Sequence, residues 1–292
     1  MKVAARSSLA PLSPVIYEPV VRAALAEDFG TGGDITSDAT IAAGTRARGS
    51  LVARKAGVLA GLDAALFAFR VLDPDVRIES YVRDGERLAS GTTIATVDGL
   101  AHGILGAERT ALNLLSHLSG IATATAAYVA ARGDAPCAIA ETRKTLPGLR
   151  ALEKYAVRAG GGKNHRLRLD DAILIKDNHI AIAGSIATAL DRARSRAGHL
   201  VKIEIEVDSL AQLGEVLAHP GGVDCVLLDN FSIADVREAV RRARGRTTLE
   251  ASGGITLESI PELAAAGVDV ISVGALTHSV VALDIGLDIE RR

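Results

Sequence analysis

The sequence predicts an α/β protein in which a parallel βα barrel is accompanied by a smaller α+β domain. From about residue 137 onward, short runs rich in β-branched residues alternate with stretches of helical apolar periodicity. The first hundred residues instead contain strands punctuated by glycine, and the tail 280–290 alternates apolar and polar residues. A parallel barrel is the most economical closure of a βα repeat, so we expect it in the second half of the chain.

Length and composition fit one large domain or two ordinary ones. The chain has 292 residues, of which 48% are apolar, so it can bury a substantial core. A net charge of −2 argues against a general polyanion binder, and 3% aromatic residues argue against stacking on single-stranded nucleic acid. The two cysteines, Cys137 and Cys225, lie inside apolar runs, which favours buried thiols in a reducing compartment.

No targeting or membrane segment is predicted. Lys2 and Arg6 precede Pro11 and Pro14, which interrupt any apolar region of a signal peptide. No uninterrupted apolar run approaches the roughly 18 residues of a membrane span. We therefore expect a soluble cytoplasmic protein.

Six strands are predicted in the second half, separated by helical stretches. The strands are expected at 137–142, 171–176, 201–207, 223–228, 247–252 and 268–273. The helical stretches between them are 148–160, 182–198, 209–219, 232–245 and 256–267. Most of these stretches end in glycine, which is typical of a left-handed helix end.

The first half and the tail are predicted to form the smaller domain. Strands are expected within 46–62 and 77–99, with a helix over 63–72 between them. A long helix over 106–133, broken near Gly120, connects the two regions. The predicted domains are residues 1–112 with 279–292, and residues 113–278.

Polar side chains follow the carboxyl ends of the predicted barrel strands. They are Glu141–Lys144, Lys176–His179, Glu204, Glu206, Asp208, Asp229, Asn230, Glu250, Ser252–Gly254 and Gly274. In parallel βα folds the ligand binds at these ends of the strands. The sequence therefore predicts a single polar mouth.

Basic side chains are concentrated at the first two of these strand ends and in the loop between them. They are Arg143, Lys144, Lys163, His165, Arg166 and Lys176. In a chain of net negative charge, this set implies a small acidic substrate. Arginine offers a planar fork to carboxylate or phosphate, and lysine offers a point charge. Taken singly, each residue is also compatible with a solvated surface charge.

The acidic residues of the third and fourth predicted barrel strands suggest a metal site. Glu204 and Glu206 alternate with Ile205, so both side chains lie on one face of their strand. Buried carboxylates need cations or a metal, and Asp229 on the next strand can share such a metal. Oxygen ligands suit Mg²⁺ held together with substrate phosphates. The alternative is an ion-pair lattice with the lysines.

The last strands end in turns that can bind phosphate. The Ser252 hydroxyl and the backbone amides of Gly253 and Gly274 form a plausible cradle, to which His278 adds charge. Glycine-rich turns also occur for purely steric reasons, so this signal is not specific by itself.

Several segments, in order along nearly the whole chain, resemble the quinolinate phosphoribosyltransferase family. They are GDITS (33–37), ERTALNLLSHLSGIAT (108–123), ETRKTLPGLRALEKYAVRAGGGKNHR (141–166), DAILIKDNHI (171–180), LLDNF (227–231) and ASGGI (251–255). Glu141 departs from the aspartate that the family usually has before TRKT.

The resemblance implies an N-terminal α/β sandwich domain plus an incomplete parallel α/β barrel. It also implies a reaction in NAD biosynthesis, in which quinolinate and phosphoribosyl pyrophosphate give nicotinate mononucleotide, pyrophosphate and CO₂ with Mg²⁺. The assembly would be a homodimer or dimer-based oligomer whose active site is shared across the interface.

The resemblance also implies roles for individual residues. Carboxylate binding falls to Arg143, His165, Arg166 and Lys176, with Lys144 in the same lining and Arg109 from the neighbouring subunit. Glu206 or Glu204, with Asp229, supports the metal and the sugar, and the 5′-phosphate falls to Ser252, Gly253, Gly274 and His278. The catalytic residues would then be Lys144, Lys176, Glu206 and Asp229.

Three alternatives stay open at the level of sequence. A paralogue of the same fold would act on a different acceptor, and a phosphosugar sensor would bind the same ligands without turnover. An aldolase would form a Schiff base through Lys176.

Overall fold

A computed structural model describes residues 9–291, so the predicted N-terminal residues Lys2 and Arg6 lie outside the described chain. The contacts divide the chain into two compact units. The first unit comprises the residues up to Ala126, Thr145–Gly161 and the residues from Ser279 onward, and the second comprises Ala127–Lys144 and Gly162–His278.

The elements follow one another in a simple order. The first part contains α1 (Pro14–Phe29), α2 (Ile35–Thr40), β1 (Arg46–Ala53), β2 (Gly57–Val58), α3 (Leu62–Leu72), β3 (Arg77–Ser80), β4 (Arg87–Leu88), β5 (Thr93–Leu100) and α4 (Ala101–Ala131). Then follow β6 (Ala138–Ala140), α5 (Arg150–Ala159), β7 (Ile173–Ile175), α6 (Asp177–Ala183), α7 (Ile186–Arg196), β8 (Ile203–Val207) and α8 (Leu210–Ala218). The chain continues with β9 (Cys225–Asp229), α9 (Ile233–Ala243), β10 (Thr248–Ser252), α10 (Ile260–Ala266), β11 (Val270–Ser272), α11 (Ala275–His278) and β12 (Ile285–Arg291).

The first unit has a four-stranded antiparallel sheet in the order β12-β1-β5-β3, together with the small ribbon β2-β4. The tail returns as predicted, because β12 pairs antiparallel with β1 from Ala47 opposite Arg291 to Ala53 opposite Ile285. The sheet, α1, α3 and α4 share one apolar core that includes Leu51, Phe69 and Leu115. This burial supplies the main driving force for folding of the unit.

The boundary between the units differs from the predicted ranges. Residues 113–126 and 145–161 were expected in the barrel domain, whereas the contacts place both segments in the first unit. The reason is the apolar face of α5, where Leu152, Ala156 and Val157 are buried in the core of the first unit.

Helix α4 is continuous, contrary to the break predicted near Gly120. A side chain at Gly120 would collide with the backbone at Val281 and Ala282. The glycine therefore allows the C-terminal tail to pack closely against α4, and it does not interrupt the helix. By length and composition this helix could cross a membrane. Its buried side chains, such as Leu115 and Leu118, lie in the core of the first unit, as in the core helix of a globular protein.

The start of α3 depends on one buried carboxylate. Asp84 accepts hydrogen bonds from the backbone N–H groups of Gly61 (3.0 Å) and Leu62 (3.1 Å) and from the Tyr155 hydroxyl (2.7 Å). We expect Asp84→Ala to lower the free energy of unfolding by about 3 kcal/mol, because it leaves buried donors without an acceptor. Urea titration checks this, with exposed Asp63→Ala as the control; equal losses in the two variants would contradict it.

The same carboxylate gives a pH dependence of known sign. Burial raises the pKa of Asp84 above its ordinary 3.8, although the hydrogen bonds from Tyr155, Leu62 and Gly61 oppose the shift. Its contribution to stability is therefore largest below pH 3.8 and declines as the pH rises through the raised folded pKa. In Asp84→Ala, the free energy of unfolding should not show this decline as the pH rises above 3.8.

The second unit contains a six-stranded parallel sheet in the order β6-β11-β10-β9-β8-β7. All six predicted barrel strands are present. Since the first strand, β6, pairs with the last, β11, the order is that of a barrel opened between β6 and β7. The expected α/β fold with an incomplete parallel barrel is therefore confirmed. The chain between β6 and β7 contains α5, which belongs to the first unit.

Candidate active site

The carboxyl ends of the six parallel strands and the loop 162–172 bring the predicted basic residues into the second unit. Lys163 forms a parallel bridge with Ala140, and its N–H donates to the carbonyl of Ile139 (2.8 Å). The loop therefore begins as an extra partner of β6, at the open side of the barrel. This position fixes the backbone immediately before His165 and Arg166.

Glu141 holds this loop in place through hydrogen bonds. Its fully buried carboxylate accepts a hydrogen bond from the Asn164 side chain (3.1 Å) and another from the His165 N–H (3.1 Å). Both carboxylate oxygens are thus used inside the protein. The acidic residue before the TRKT segment holds the binding loop, and it is not available to a substrate through these atoms.

Arg143 and Arg166 form the strongest candidate for an anion site. The Nε atoms of both side chains are buried without a hydrogen-bond partner, and Arg166 Nη1 donates to the carbonyl of Ala172 (3.1 Å). Burial and the neighbouring Arg143 cation lower the pKa of Arg166 from its ordinary value. Two adjacent guanidinium groups with unused buried donors are stabilised by a bound carboxylate or phosphate.

Lys176 lies at the end of β7 and pairs with Glu206 at the end of β8. Its backbone N–H donates to Nδ1 of His179 (2.9 Å), so the histidine of the IKDNHI segment caps the start of α6. The Lys176 side chain remains 45% exposed while Glu206 is 15% exposed. The Lys176 ammonium group is therefore held at the exposed edge of the site by its ion pair with the more buried carboxylate of Glu206.

Glu204 and Glu206 lie on the same face of β8, as the alternation predicts, but they have different partners. Glu204 is buried and its Oε2 lies 3.1 Å from Nε2 of His165, whereas Glu206 pairs with Lys176. Oε1 of Glu250 lies 3.5 Å from the same imidazole nitrogen. Among the described residues, one group of side chains has ligand atoms close enough together to hold a metal ion. It consists of His165, Glu204 and Glu250.

Two opposing effects act on the imidazole of His165. Burial disfavours its charged form, but the hydrogen bonds and charges of Glu204 and Glu250 raise the pKa of His165 to about 10. A second ring proton would have to sit on Nδ1, which accepts the Arg166 backbone N–H at 2.8 Å. The Nε2–H group points toward the two acids, whose charges favour the protonated imidazole.

The free cysteine next to this group is unreactive. The Sγ atom of Cys225 donates to Oε1 of Glu204 (3.4 Å). Burial and the nearby carboxylates, first of all Glu204, raise the pKa of the Cys225 thiol well above its ordinary value. A thiol of this kind is not a nucleophile at neutral pH.

The turn after β10 is sterically fitted to the turn after β9. Gly253 has φ +92°, and a side chain there would collide with the side-chain amide of Asn230. Asn230 itself has φ +55°, donates its backbone N–H to the carbonyl of Ser252 (2.9 Å) and donates its side-chain amide to Asp229 (2.9 Å). The strained backbone places Asp229, Ser252 and Gly253 at one point of the mouth.

Lys144, Gly274 and His278 lie together beside this turn. A methyl group built on Gly274 would be 3.2 Å from both Lys144 Cδ and His278 Nε2. The hydroxyl of Thr277 donates to the carbonyl of Lys144 (2.8 Å), which fixes the TRK segment against α11. The structure therefore groups Lys144 with the predicted phosphate residues.

Arg109 is the predicted site residue that lies in the first unit, where it is exposed on α4. Glu141, Asn230 and Glu250 were predicted to lie at the mouth but were assigned no role in binding or catalysis, whereas the structure gives each of them a clear local role. Glu250 was recognisable, because it alternates with Ser252 on the inward face of β10. The left-handed backbone of Asn230 has no such signal in a single sequence.

Both halves of the chain match one protein family. Residues 34–119 match the family described as quinolinate phosphoribosyl transferase, N-terminal domain, and residues 121–288 match its C-terminal domain. Among curated relatives, "Nicotinate-nucleotide pyrophosphorylase [carboxylating]" of Mycobacterium leprae is 51% identical over 92% of this chain and 95% of its own length. The "Probable nicotinate-nucleotide pyrophosphorylase [carboxylating]" of Bacillus subtilis is 46% identical over 90% of both chains.

Solved structures agree with these matches. The structure of "NadC from Streptococcus pyogenes" has a TM-score of 0.92 and 41% identity, and the match covers 97% of this chain and 99% of that one. A nicotinate-nucleotide pyrophosphorylase from Francisella tularensis gives a TM-score of 0.91 and 39% identity with the same coverage. The predicted resemblance, the fold class and the pentosyltransferase class are confirmed, and the chain belongs to the quinolinate phosphoribosyl transferase family.

Proposed function

We propose that this protein transfers the phosphoribosyl group of phosphoribosyl pyrophosphate to quinolinate and removes one carboxylate, as its family membership supports. The products are nicotinate mononucleotide, pyrophosphate and CO₂, in de novo synthesis of NAD. The observation that supports this most is the half-buried pair Arg143 and Arg166, whose buried Nε donors have no partner among the described residues. Quinolinate has two adjacent carboxylates, and two arginine side chains can each bind one of them.

The rest of the mouth fits the second substrate. Ser252, Gly253, Gly274 and His278 receive the 5′-phosphate, and Lys144 beside Gly274 contributes a cation there. Loss of pyrophosphate leaves positive charge on the ribose. The carboxylates of Glu206 and Asp229 stabilise that charge, while lysines stabilise the departing anion.

Decarboxylation needs no nucleophilic residue. Once the ring nitrogen carries ribose it is cationic, and it stabilises the electron pair that stays on the adjacent ring carbon when CO₂ leaves. That carbon then takes up a proton from water to give the product. Lys176 is paired with Glu206, and an ammonium ion held in this way is not the neutral amine that a Schiff base requires. Positioning and electrostatics therefore supply most of the rate enhancement.

The direct test is turnover. Incubation with quinolinate, phosphoribosyl pyrophosphate and Mg²⁺ should release CO₂ and pyrophosphate in equal amounts, and nicotinate in place of quinolinate should release no CO₂. Binding of both substrates without products would instead identify a sensor. Turnover of a different acceptor with no activity on quinolinate would identify a paralogue of different specificity.

Magnesium is the proposed cofactor, and the residues present fit it. Glu206 and Asp229 end adjacent strands, are only partly exposed and offer the carboxylate oxygens that Mg²⁺ prefers alongside phosphate oxygens. When bound, the ion neutralises charge on the pyrophosphate. We expect excess EDTA to reduce turnover to below about 1%. Mg²⁺ should restore it, and unchanged turnover in EDTA would contradict the assignment.

Arg109 is proposed to complete the site of a neighbouring subunit in a cytoplasmic homodimer. Arg109→Ala and Lys176→Ala should each be nearly inactive. A mixture of the two should regain about a quarter of wild-type activity, because half of the dimers are mixed and each mixed dimer has one intact site. Absence of recovery in verified mixed dimers would show that the site is not shared.

A further inference from the structure

A buried carboxylate of the first unit has no part in the proposed chemistry. Glu153, in the first turn of α5, is fully buried, and its Oε1 lies 2.9 Å from Nε2 of His117 on α4. Its Oε2 accepts the backbone N–H of Leu146 at 3.2 Å. Since a buried carboxylate needs such donors, the two oxygens of Glu153 connect α4 to the chain before α5.

The segment that Glu153 holds is the short loop 145–149, which leads into α5. The loop has a second contact of the same kind, because Nε of Arg150 donates to Oγ1 of Thr145 at 2.9 Å. Both contacts come from side chains of the first turn of α5, and both are made to the first two residues of the loop. The position of Leu146 therefore depends on the orientation of the Glu153 carboxylate.

The loop continues directly from a residue of the candidate site. Thr145 follows Lys144, at the point where the chain passes from the second unit to the first. The Lys144 N–H donates to Oγ1 of Thr142 (3.1 Å), and its carbonyl accepts the Thr277 hydroxyl (2.8 Å). Each residue between Lys144 and Leu146 has only two soft backbone dihedrals, so a displacement of Leu146 is passed on to Lys144.

We infer that His117 and Glu153 are positioning residues for binding of phosphoribosyl pyrophosphate. His117 orients the Glu153 carboxylate, the carboxylate fixes Leu146, and the fixed loop holds Lys144 in place for the phosphate groups. The inference rests on the proposed function for the identity of this substrate. In this role neither His117 nor Glu153 contacts the substrate.

The first test separates positioning from stability. His117→Leu removes the donor but keeps most of the side-chain volume, and it should raise KM for phosphoribosyl pyrophosphate about tenfold. The kcat and the KM for quinolinate should stay within about threefold of wild type. A purely structural role would lower the fraction of folded enzyme, and with it the apparent kcat, while the folded molecules kept the wild-type KM.

Two further variants of the same helix complete this test. The amide group of His117→Gln can donate to Glu153, so this variant should have a KM for phosphoribosyl pyrophosphate within about threefold of wild type. His102 lies earlier on α4, 3.7 Å from the exposed Asp38, and His102→Leu is the matched control with unaltered kinetics.

The second test follows the loop itself by hydrogen exchange of backbone amides, measured by NMR. The Leu146 amide should be protected in the wild-type protein, because it donates to a buried carboxylate. In His117→Leu it should exchange about tenfold faster or more, while the amide of Leu51 in the core strand β1 keeps its rate.

The outcomes separate this inference from the proposed function. An unaltered KM for phosphoribosyl pyrophosphate in His117→Leu, a His117→Gln enzyme as impaired as His117→Leu, or an unprotected Leu146 amide in wild type would overturn the positioning role. A wild-type protein that turns over no quinolinate would overturn the function, and the Leu146 exchange rates would still decide whether the pair holds the loop. If His117→Leu fails to fold, Glu153→Gln takes its place with the same expected shift in KM.

Discussion

Arg143→Ala is expected to lower kcat/KM for quinolinate by about a thousandfold, which corresponds to about 4 kcal/mol at 25 °C. The size of the effect follows from burial. The Nε atom of Arg143 has no partner within the protein, so its interaction with a substrate carboxylate is not replaced by another group when the side chain is removed. The change also relieves repulsion on Arg166, so stability should not fall. Steady-state kinetics and thermal unfolding measure the two effects.

Two further substitutions test whether the effect is specific to the guanidinium group of Arg143. Arg168→Ala removes an exposed arginine from the same basic loop, and it should retain activity within about twofold, since surface charges contribute little. Arg143→Lys should recover only a small part of the loss, because an ammonium group cannot form the planar two-point contact. If Arg143→Ala turned over quinolinate at the wild-type rate, the site would be assigned wrongly.

Gly253→Ala is expected to reduce turnover by about a hundredfold, or about 3 kcal/mol, mainly through loss of phosphoribosyl pyrophosphate binding. Two independent causes add. The backbone of Gly253 has φ +92°, which disfavours any side chain, and a methyl group would collide with the side chain of Asn230. Relief of that collision would displace Asn230 and, with it, Asp229.

Gly254 provides the matched control for this prediction. It also has a positive φ, +56°, but a methyl group there would meet nothing within 4 Å. Gly254→Ala therefore isolates the backbone cost and should lose less than about tenfold. Equal losses in the two variants would mean that contact with Asn230 is not what Gly253 protects.

Much of the second unit could be predicted from sequence because its strands carry a strong local signal. Each is a short apolar run followed at once by polar residues, as in "DAILIK" (171–176), and all six predicted strands are present. The approach of Arg143 to Arg166 is consistent with the same pattern, because strand ends in a parallel sheet converge. The tail strand was predictable from alternation alone.

Other features depend on tertiary contacts that no local pattern contains. Helix α5 has an ordinary amphipathic sequence, and nothing in it states that Leu152 and Val157 are buried in the first unit and not against the barrel. Gly120 has the composition of a helix break, but its meaning depends on the approach of Val281, 161 residues later in the sequence. The roles of Glu141 and Glu250 depend on a distant loop, to which Glu141 is hydrogen-bonded and whose His165 lies 3.5 Å from Glu250.

Through the bridge between Ala140 and Lys163, the position of the substrate-binding loop depends on its pairing with strand β6. Because the segment that presents Arg166 is paired with β6 at this bridge, it cannot swing aside like a hinged cover without giving up that pairing. Substrates must therefore enter from the open rim, and amide protons around Lys163 should exchange with solvent as slowly as those of the strands themselves.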